Sequence, residues 1–223
     1  MKLSRADLAF AVATGQTGAT TVAATMICAA LAGIRVFATG GIGGAHRGAE
    51  TSFDISADLD ELARSPVTVV SAGAKAILDL PKTLEILETR GVPVIGFGTD
   101  TFPAFWSRTS GLPAPLRLDT PEAVAGLMRV RAALGLEGGI LVANPLPASQ
   151  EIPFAEIAPA VAAALAAAAG AGIVGKAVTP FLLAQIERAT AGRSLSVNQA
   201  IIRNNAALAA RLALADAAER RGG

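Results

Sequence analysis

Arg35-Val36-Phe37-Ala38-Thr39 runs without a break into Gly40-Gly41-Ile42-Gly43-Gly44-Ala45-His46-Arg47-Gly48. A short apolar run closed by a polar residue and then by glycines reads as a strand buried on both faces, followed by the loop beyond its carboxyl end. Val67–Ser71, Val92–Phe97 and Gly139–Asn144 have the same form. Longer stretches of helical pattern separate these runs, and the alternation predicts a mostly parallel sheet covered by helices. Ligands of such sheets bind beyond the carboxyl ends of the strands, so the chemistry is to be sought in the loops that follow them.

Between the strands, Thr120-Pro121, Thr179-Pro180 and Ser196 each place a side-chain oxygen where a helix begins, and Gly91 and Gly192 stand where helices end. The last helix, from about Ser196 to Arg220, carries Ile201, Ile202, Leu208, Leu212 and Leu214 as an apolar stripe, with Arg203, Arg211 and Arg220 outside it. The uncharged stretch from Leu8 to Ile34 is long enough to span a bilayer, but Thr14-Gly15-Gln16-Thr17-Gly18 interrupts it. It reads as a turn followed by a buried helix, and the short apolar segment before the turn does not suit a signal peptide. Ile157 to Gly175, mostly alanine, reads as a packed helix and a turn.

The 223 residues fit one domain. With 19 basic and 18 acidic residues the chain has no general field for a nucleic-acid backbone or an anionic membrane, so any anion is held locally. The single cysteine, Cys28, lies in an apolar run and is expected to be a buried small hydrophobe, consistent with a reducing cytoplasm.

Three segments could carry chemistry. The loop Thr39–Gly48 holds five glycines in ten residues, which lets backbone N–H groups approach an anion, and His46 and Arg47 could add positive charge for a phosphate. Its spacing matches neither the dinucleotide fingerprint nor the Walker loop, and a merely tight turn is the competing reading. In Phe53-Asp54-Ile55-Ser56-Ala57-Asp58-Leu59, Ser56 or Asp54 could cap a helix; the alternative is a hard-metal site, since Mg²⁺ and Mn²⁺ take one or two protein carboxylates and several waters. Lys75 follows the second strand among small apolar residues. Desolvation there would free its amine for a Schiff base; the competing reading is a solvated lysine that opens a helix.

These segments resemble the pseudouridine-5'-phosphate glycosidases, also called indigoidine synthase A-like proteins. The likeness rests on Val36–Glu50, Phe53–Leu59 and Ala72-Gly73-Ala74-Lys75, and continues through Leu87–Gly96, Val142–Pro145, Thr179–Leu183, Asn198 and Asn204-Asn205. The resemblance implies a three-layer α/β/α sandwich, usually assembled as a homotrimer. The implied enzyme is a cytoplasmic lyase of the hydro-lyase class that interconverts pseudouridine 5'-phosphate and water with uracil and ribose 5-phosphate. Lys75 then matches the lysine that forms the covalent adduct with the sugar's C1′, and Asp54 the residue that holds Mn²⁺, largely through its waters. Ser56, Ala57 and Asp58 match a substrate-contacting segment. Lys2, Thr39 and His46 fall where the family holds the phosphate, Val22 lines the pocket, and Asn198 is a base-side residue.

A carbon-linked base offers no glycosidic nitrogen or oxygen to protonate, so the two-carboxylate route lacks its easy step. A lysine adduct at C1′ of the opened sugar, protonation at uracil C5 and a retro-Mannich-type cleavage solve that problem. The resemblance also implies an N-terminal segment with an A-L-E-S-T-I-I-S-H-G motif, whose glutamate is the general acid; that motif does not occur here, and Met1-Lys2-Leu3 aligns with the family's interior. A truncated sequence, a late start codon and a split enzyme with a separate N-terminal segment are the readings open. Two functional alternatives stand beside the glycosidase: a sugar-phosphate-binding remnant, and a Schiff-base lyase for another phosphosugar.

Overall fold

Residues 1–173 and 175–222 are described by a computed structural model. In chain order the elements are β1 (Lys2–Leu3), α1 (Arg5–Thr14), β2 (Ala19–Thr20), α2 (Val22–Leu31), β3 (Val36–Ala38), α3 (Ala49–Ser52), α4 (Ala57–Arg64) and β4 (Thr68–Ser71). They continue as α5 (Leu80–Thr89), β5 (Val94–Phe97), β6 (Leu116–Leu118), α6 (Pro121–Ala133), β7 (Ile140–Ala143), α7 (Phe154–Gly170), α8 (Val178–Ala189) and α9 (Arg193–Gly222). The four expected strands are β3, β4, β5 and β7. With β6 they form a five-stranded, wholly parallel sheet in the order β3-β4-β7-β5-β6.

Alternate residues of the central strands feed two cores, as a period of two requires. Val69, Leu141 and Val94 face one layer, with Met26 of α2, Leu59 and Leu62 of α4, Leu87 of α5, Ile157 of α7 and Leu182 of α8. Val70, Val142, Ile140 and Ile95 face the other, with Val124 and Met128 of α6 and Leu208 and Leu212 of α9. This is the expected three-layer α/β/α arrangement. Only β4 and β7 are buried along their whole length; β3, at the sheet's edge, is half-buried, and β6 at the other edge is mostly exposed.

Local signals explain most boundaries. Thr120 Oγ1 accepts the Ala123 N–H at 3.2 Å with Pro121 behind it, and Asp79 accepts the Lys82 N–H at 3.1 Å at the start of α5. Gly91 takes φ 68° after α5, the left-handed turn that stops a helix. Two expected starts are corrected. Thr179 lies inside the first turn of α8, and Ser196 lies inside α9, which begins three residues earlier; Ser196 Oγ donates to Arg193 O at 2.8 Å. Ile202 and Leu214 leave the buried stripe of α9, at 49% and 70% exposure. Cys28 is exposed rather than buried, because α2 packs through Val22, Ala23, Ala24, Met26 and Ala29 and turns Cys28 outward with Leu31. No helix among the described residues is long and apolar enough to cross a membrane.

Candidate active site

Beyond the carboxyl ends of β3 and β4 a cavity of about 830 Å³ opens, and Lys2, Val22, Thr39, His46, Asp54, Ser56, Ala57, Asp58, Lys75 and Asn198 all line it. Residues scattered over most of the sequence therefore meet in one place. Lys2 comes from β1, held beside Ala19 of β2; Val22 opens α2; Thr39 follows β3; and Ser56 caps α4, accepting the Asp58 N–H at 3.3 Å. Lys75 follows β4, and Asn198 reaches in from α9. Arg47 is not brought in: it lines a separate depression of about 400 Å³ with Asp79 and Phe154. Glu50 is also elsewhere, ion-paired to Lys82 at 2.8 Å. A shallow groove of about 940 Å³ between the start of α6 and the end of α9 carries none of the candidate residues, and its Arg129 and Glu219 are already paired at 3.0 Å.

The glycine loop is built by close approach. A Cβ on Gly43 would stand 2.2 Å from Ser56 Oγ and 2.8 Å from Asp58 Oδ2, and one on Gly44 would stand 2.3 Å from Thr83 Oγ1. The N–H groups of Ile42, Gly43, Ala45 and His46 donate to Gly73 O, Asp58 Oδ2, Thr83 Oγ1 and Asp54 O at 3.1, 2.7, 3.0 and 3.0 Å. At these four positions the N–H groups serve the fold, as in the tight-turn reading, and are not free to meet an anion. Asp58, 3% exposed, also accepts the Ala23 N–H at 2.8 Å, so its two oxygens tie the start of α2 to the glycine loop. Further back, Asn205 Nδ2 donates to Thr39 O at 2.7 Å and Asn205 Oδ1 accepts from Asn144 Nδ2 at 3.0 Å, joining α9 to the ends of β3 and β7.

The wall carries Lys2, Lys75 and His46 against Asp54 and Asp58, and the N-termini of α2 and α4, at Val22 and Ala57, border the cavity and would favour an anion there. Lys75 does not open a helix; it sits in the turn after β4, half-buried, and its amine makes neither a hydrogen bond nor an ion pair with any described residue. Burial holds its pKa below the ordinary lysine value, Asp58 pulls it back up, and Lys2 pushes it further down. Burial likewise lowers the pKa of His46, opposed by Asp54 and reinforced by Lys75 and Lys2. The lowered pKa favours the neutral imidazole of His46 in the empty cavity, and either form can offer a phosphate a hydrogen bond.

Asp54 is half-buried on the wall near His46, and its carboxylate has no side-chain partner among the described residues. No group of three or more His, Cys, Asp or Glu side chains gathers among those residues. A single carboxylate suits a hard ion that keeps most of its waters, and does not suit tetrahedral zinc.

Two residues escaped the sequence reading. Phe105 lines the cavity with φ 63°, an outlier for a bulky side chain, and a Cβ on Gly41 would meet its ring at 2.7 Å. Its neighbour Trp106, 1% exposed, packs edge-on against it at 5.0 Å and donates its indole N–H to Asn198 Oδ1 at 2.8 Å. The run Thr101–Ser110 is irregular and has no periodicity to read; the one signal was the chain's only tryptophan.

Residues 1–215 match the sequence model of the indigoidine synthase A like proteins. A pseudouridine-5'-phosphate glycosidase of Methylobacterium nodulans is 72% identical over 215 residues, which are 96% of this chain and 64% of that protein. One of Paracoccus denitrificans is 70% identical, over 96% of this chain and 71% of its own length. Among solved structures, the prealnumycin C-glycosynthase AlnA in complex with ribulose 5-phosphate superposes with a TM-score of 0.93 at 38% identity, covering 100% of this chain and 73% of that one. An indigoidine synthase A-like protein of Thermotoga maritima gives 0.87 at 38% identity, over 96% and 70%. The chain thus spans about two thirds of the length of these relatives. With its three motifs gathered on one cavity of an α/β/α sandwich, the chain belongs to the indigoidine synthase A-like family.

Proposed function

We propose that this cavity carries the pseudouridine-5'-phosphate glycosidase reaction, the reversible conversion of pseudouridine 5'-phosphate and water into uracil and ribose 5-phosphate. The observation that carries the reading is the half-buried amine of Lys75, without a hydrogen-bond or ion-pair partner among the described residues, on the wall of a cavity that Lys2 and two helix N-termini also border. The names of the curated relatives and the pentose phosphate bound by AlnA support it. In this reading Lys2, Thr39 and His46 hold the phosphate, Ser56, Ala57 and Asp58 contact the substrate, Val22 lines the pocket, and Asn198 meets the base. Lys75 Nζ adds to C1′ as the sugar ring opens. C5 of the base takes a proton, the C1′–C5 electron pair goes to the base, and the nitrogen lone pair forms the C1′ iminium. Water then releases ribose 5-phosphate and restores the amine.

Borohydride in the presence of ribose 5-phosphate should leave a stable adduct on the peptide that carries Lys75. Labelling at Lys82 or Lys176 in its place overturns the assignment. Loss of the ultraviolet signature of pseudouridine 5'-phosphate measures turnover, and competition by uracil separates this enzyme from a Schiff-base lyase of another phosphosugar.

A Mn²⁺ ion belongs to the same proposal. Asp54 would hold it with water, and the ion would supply positive charge beside the substrate. Asp54→Ala should abolish Mn²⁺ binding, read by titration calorimetry, while leaving the melting temperature within a few degrees; unchanged metal affinity removes Asp54 from the role. A chain that forms the adduct without turnover is the second reading. It is favoured by the engagement of Asp58 with two backbone N–H groups and of Glu50 with Lys82, which leaves Asp54 as the uncommitted carboxylate on the wall among the described residues. Assembly as a homotrimer in a reducing cytoplasm completes the proposal.

A further inference from the structure

Asn198, Phe105 and Ile202 all line the cavity. Asn198 and Ile202 are one turn apart on α9, and a Cβ on Gly40 would lie 3.4 Å from the Phe105 ring and 3.6 Å from Ile202 Cδ1, so the three side chains share one neighbourhood. An aromatic ring, an aliphatic side chain and an amide in one neighbourhood suit a flat, polar-edged ring.

An asparagine amide is ambiguous, since its two ends differ only in being acceptor or donor. A free Asn198 could turn either end to the ligand. The indole N–H of Trp106 is a donor and nothing else, so the atom 2.8 Å from it must be the carbonyl oxygen Oδ1. The NH₂ end then takes the other position, and among the described residues it has no acceptor. Trp106 cannot yield: it is 1% exposed, packed against Phe105 and flanked by Ser107, whose hydroxyl donates to Ile152 O at 2.6 Å. Turning the amide over would point its NH₂ at the indole N–H and leave a buried donor unsatisfied.

We propose that Trp106 is a positioning residue that fixes the Asn198 amide with its N–H donors toward the base, so that the cavity selects a ring carbonyl and rejects an amino group at the same place. This rests on the glycosidase reading for the identity of the base, and on the hydrogen bond alone for the lock. A pyrimidine with an amino group in place of the recognised carbonyl would set donor against donor.

The test compares wild type with Trp106→Phe, which keeps the aromatic packing and removes the N–H. Dissociation constants are measured separately for ribose 5-phosphate, uracil, cytosine and isocytosine; the last two replace one or the other uracil carbonyl. Wild type should reject whichever analogue changes the carbonyl that faces Asn198. In Trp106→Phe the preference for uracil over that analogue should shrink about tenfold, the size of one neutral hydrogen bond, while ribose 5-phosphate binds as before. An unchanged preference, or equal loss of sugar phosphate and base, overturns the proposal. If wild type binds none of the bases, the glycosidase reading fails and the lock is read from the single indole N–H resonance. Slow hydrogen exchange that becomes fast in Asn198→Ala upholds the lock; identical exchange in the two proteins sinks it.

Discussion

Lys75 owes its reactivity to place. A lysine in water is charged at neutral pH and cannot attack a carbonyl carbon, whereas burial, with Lys2 nearby, lowers its pKa and raises the neutral fraction. The sign for Lys2 follows. Replacing it by methionine removes a positive neighbour, so the pKa of Lys75 rises and less neutral amine is present at any pH below that value. The pH profile of borohydride trapping should therefore move to higher pH in Lys2→Met, and affinity for ribose 5-phosphate should fall about tenfold or more with the loss of a charged contact. A profile that stays in place would show that Lys2 does not act on Lys75. At this scale the sequence was informative where a residue sat in a long motif, as Lys75, Asp54 and His46 do. It was silent on Trp106, whose part depends on a partner 92 positions away, and on the burial that lowers the pKa of His46.

At the scale of elements, the glycine loop, the first turn of α2 and the first turn of α4 form one unit, with Asp58 as the joint. An amide at position 58 would bring an NH₂ against a backbone N–H, so Asp58→Asn should cost about 1–3 kcal/mol of stability through the lost acceptor. Urea denaturation measures the loss, and unchanged stability would mean that the two bonds are not needed. Strands β3, β4, β5 and β7 were legible because each is a short apolar run with a polar or glycine stop. Edge strand β6 was not: Leu116-Arg117-Leu118 is three residues long, and Arg117 pairs with Asp100 and Asp119 at 2.6 and 2.9 Å. Cys28 was misplaced because apolar sequence on every side of α2 does not tell which side packs.

At the scale of the whole molecule, exposed Phe10, Val12, Leu31 and Phe53, at 54, 81, 84 and 79%, are apolar surface that self-association would cover. Assembly as a trimer predicts sedimentation at three times the 22.4 kDa of one chain, and a monomer at micromolar concentration would refute it. The order of strands in the sheet, by contrast, could not be read from the sequence, because β3, β4, β5 and β7 are all short apolar runs of the same form.

That order has a consequence for how the chain reaches its shape. Strand β7 lies between β4 and β5 and hydrogen-bonds to both, yet it is the last of the sheet's five described strands to be made, at Ile140–Ala143. Until it arrives, β3-β4 and β5-β6 are two separate ribbons, each with a bare inner edge. Such edges are where chains pair wrongly, and distant parallel pairings are slow to form. Lys75 and Asp54 are synthesised before β7, so the sheet beneath them closes only after residue 143 is in place. On the ribosome the chain must therefore wait with its pocket half framed, and this interval is when a chaperone would matter most.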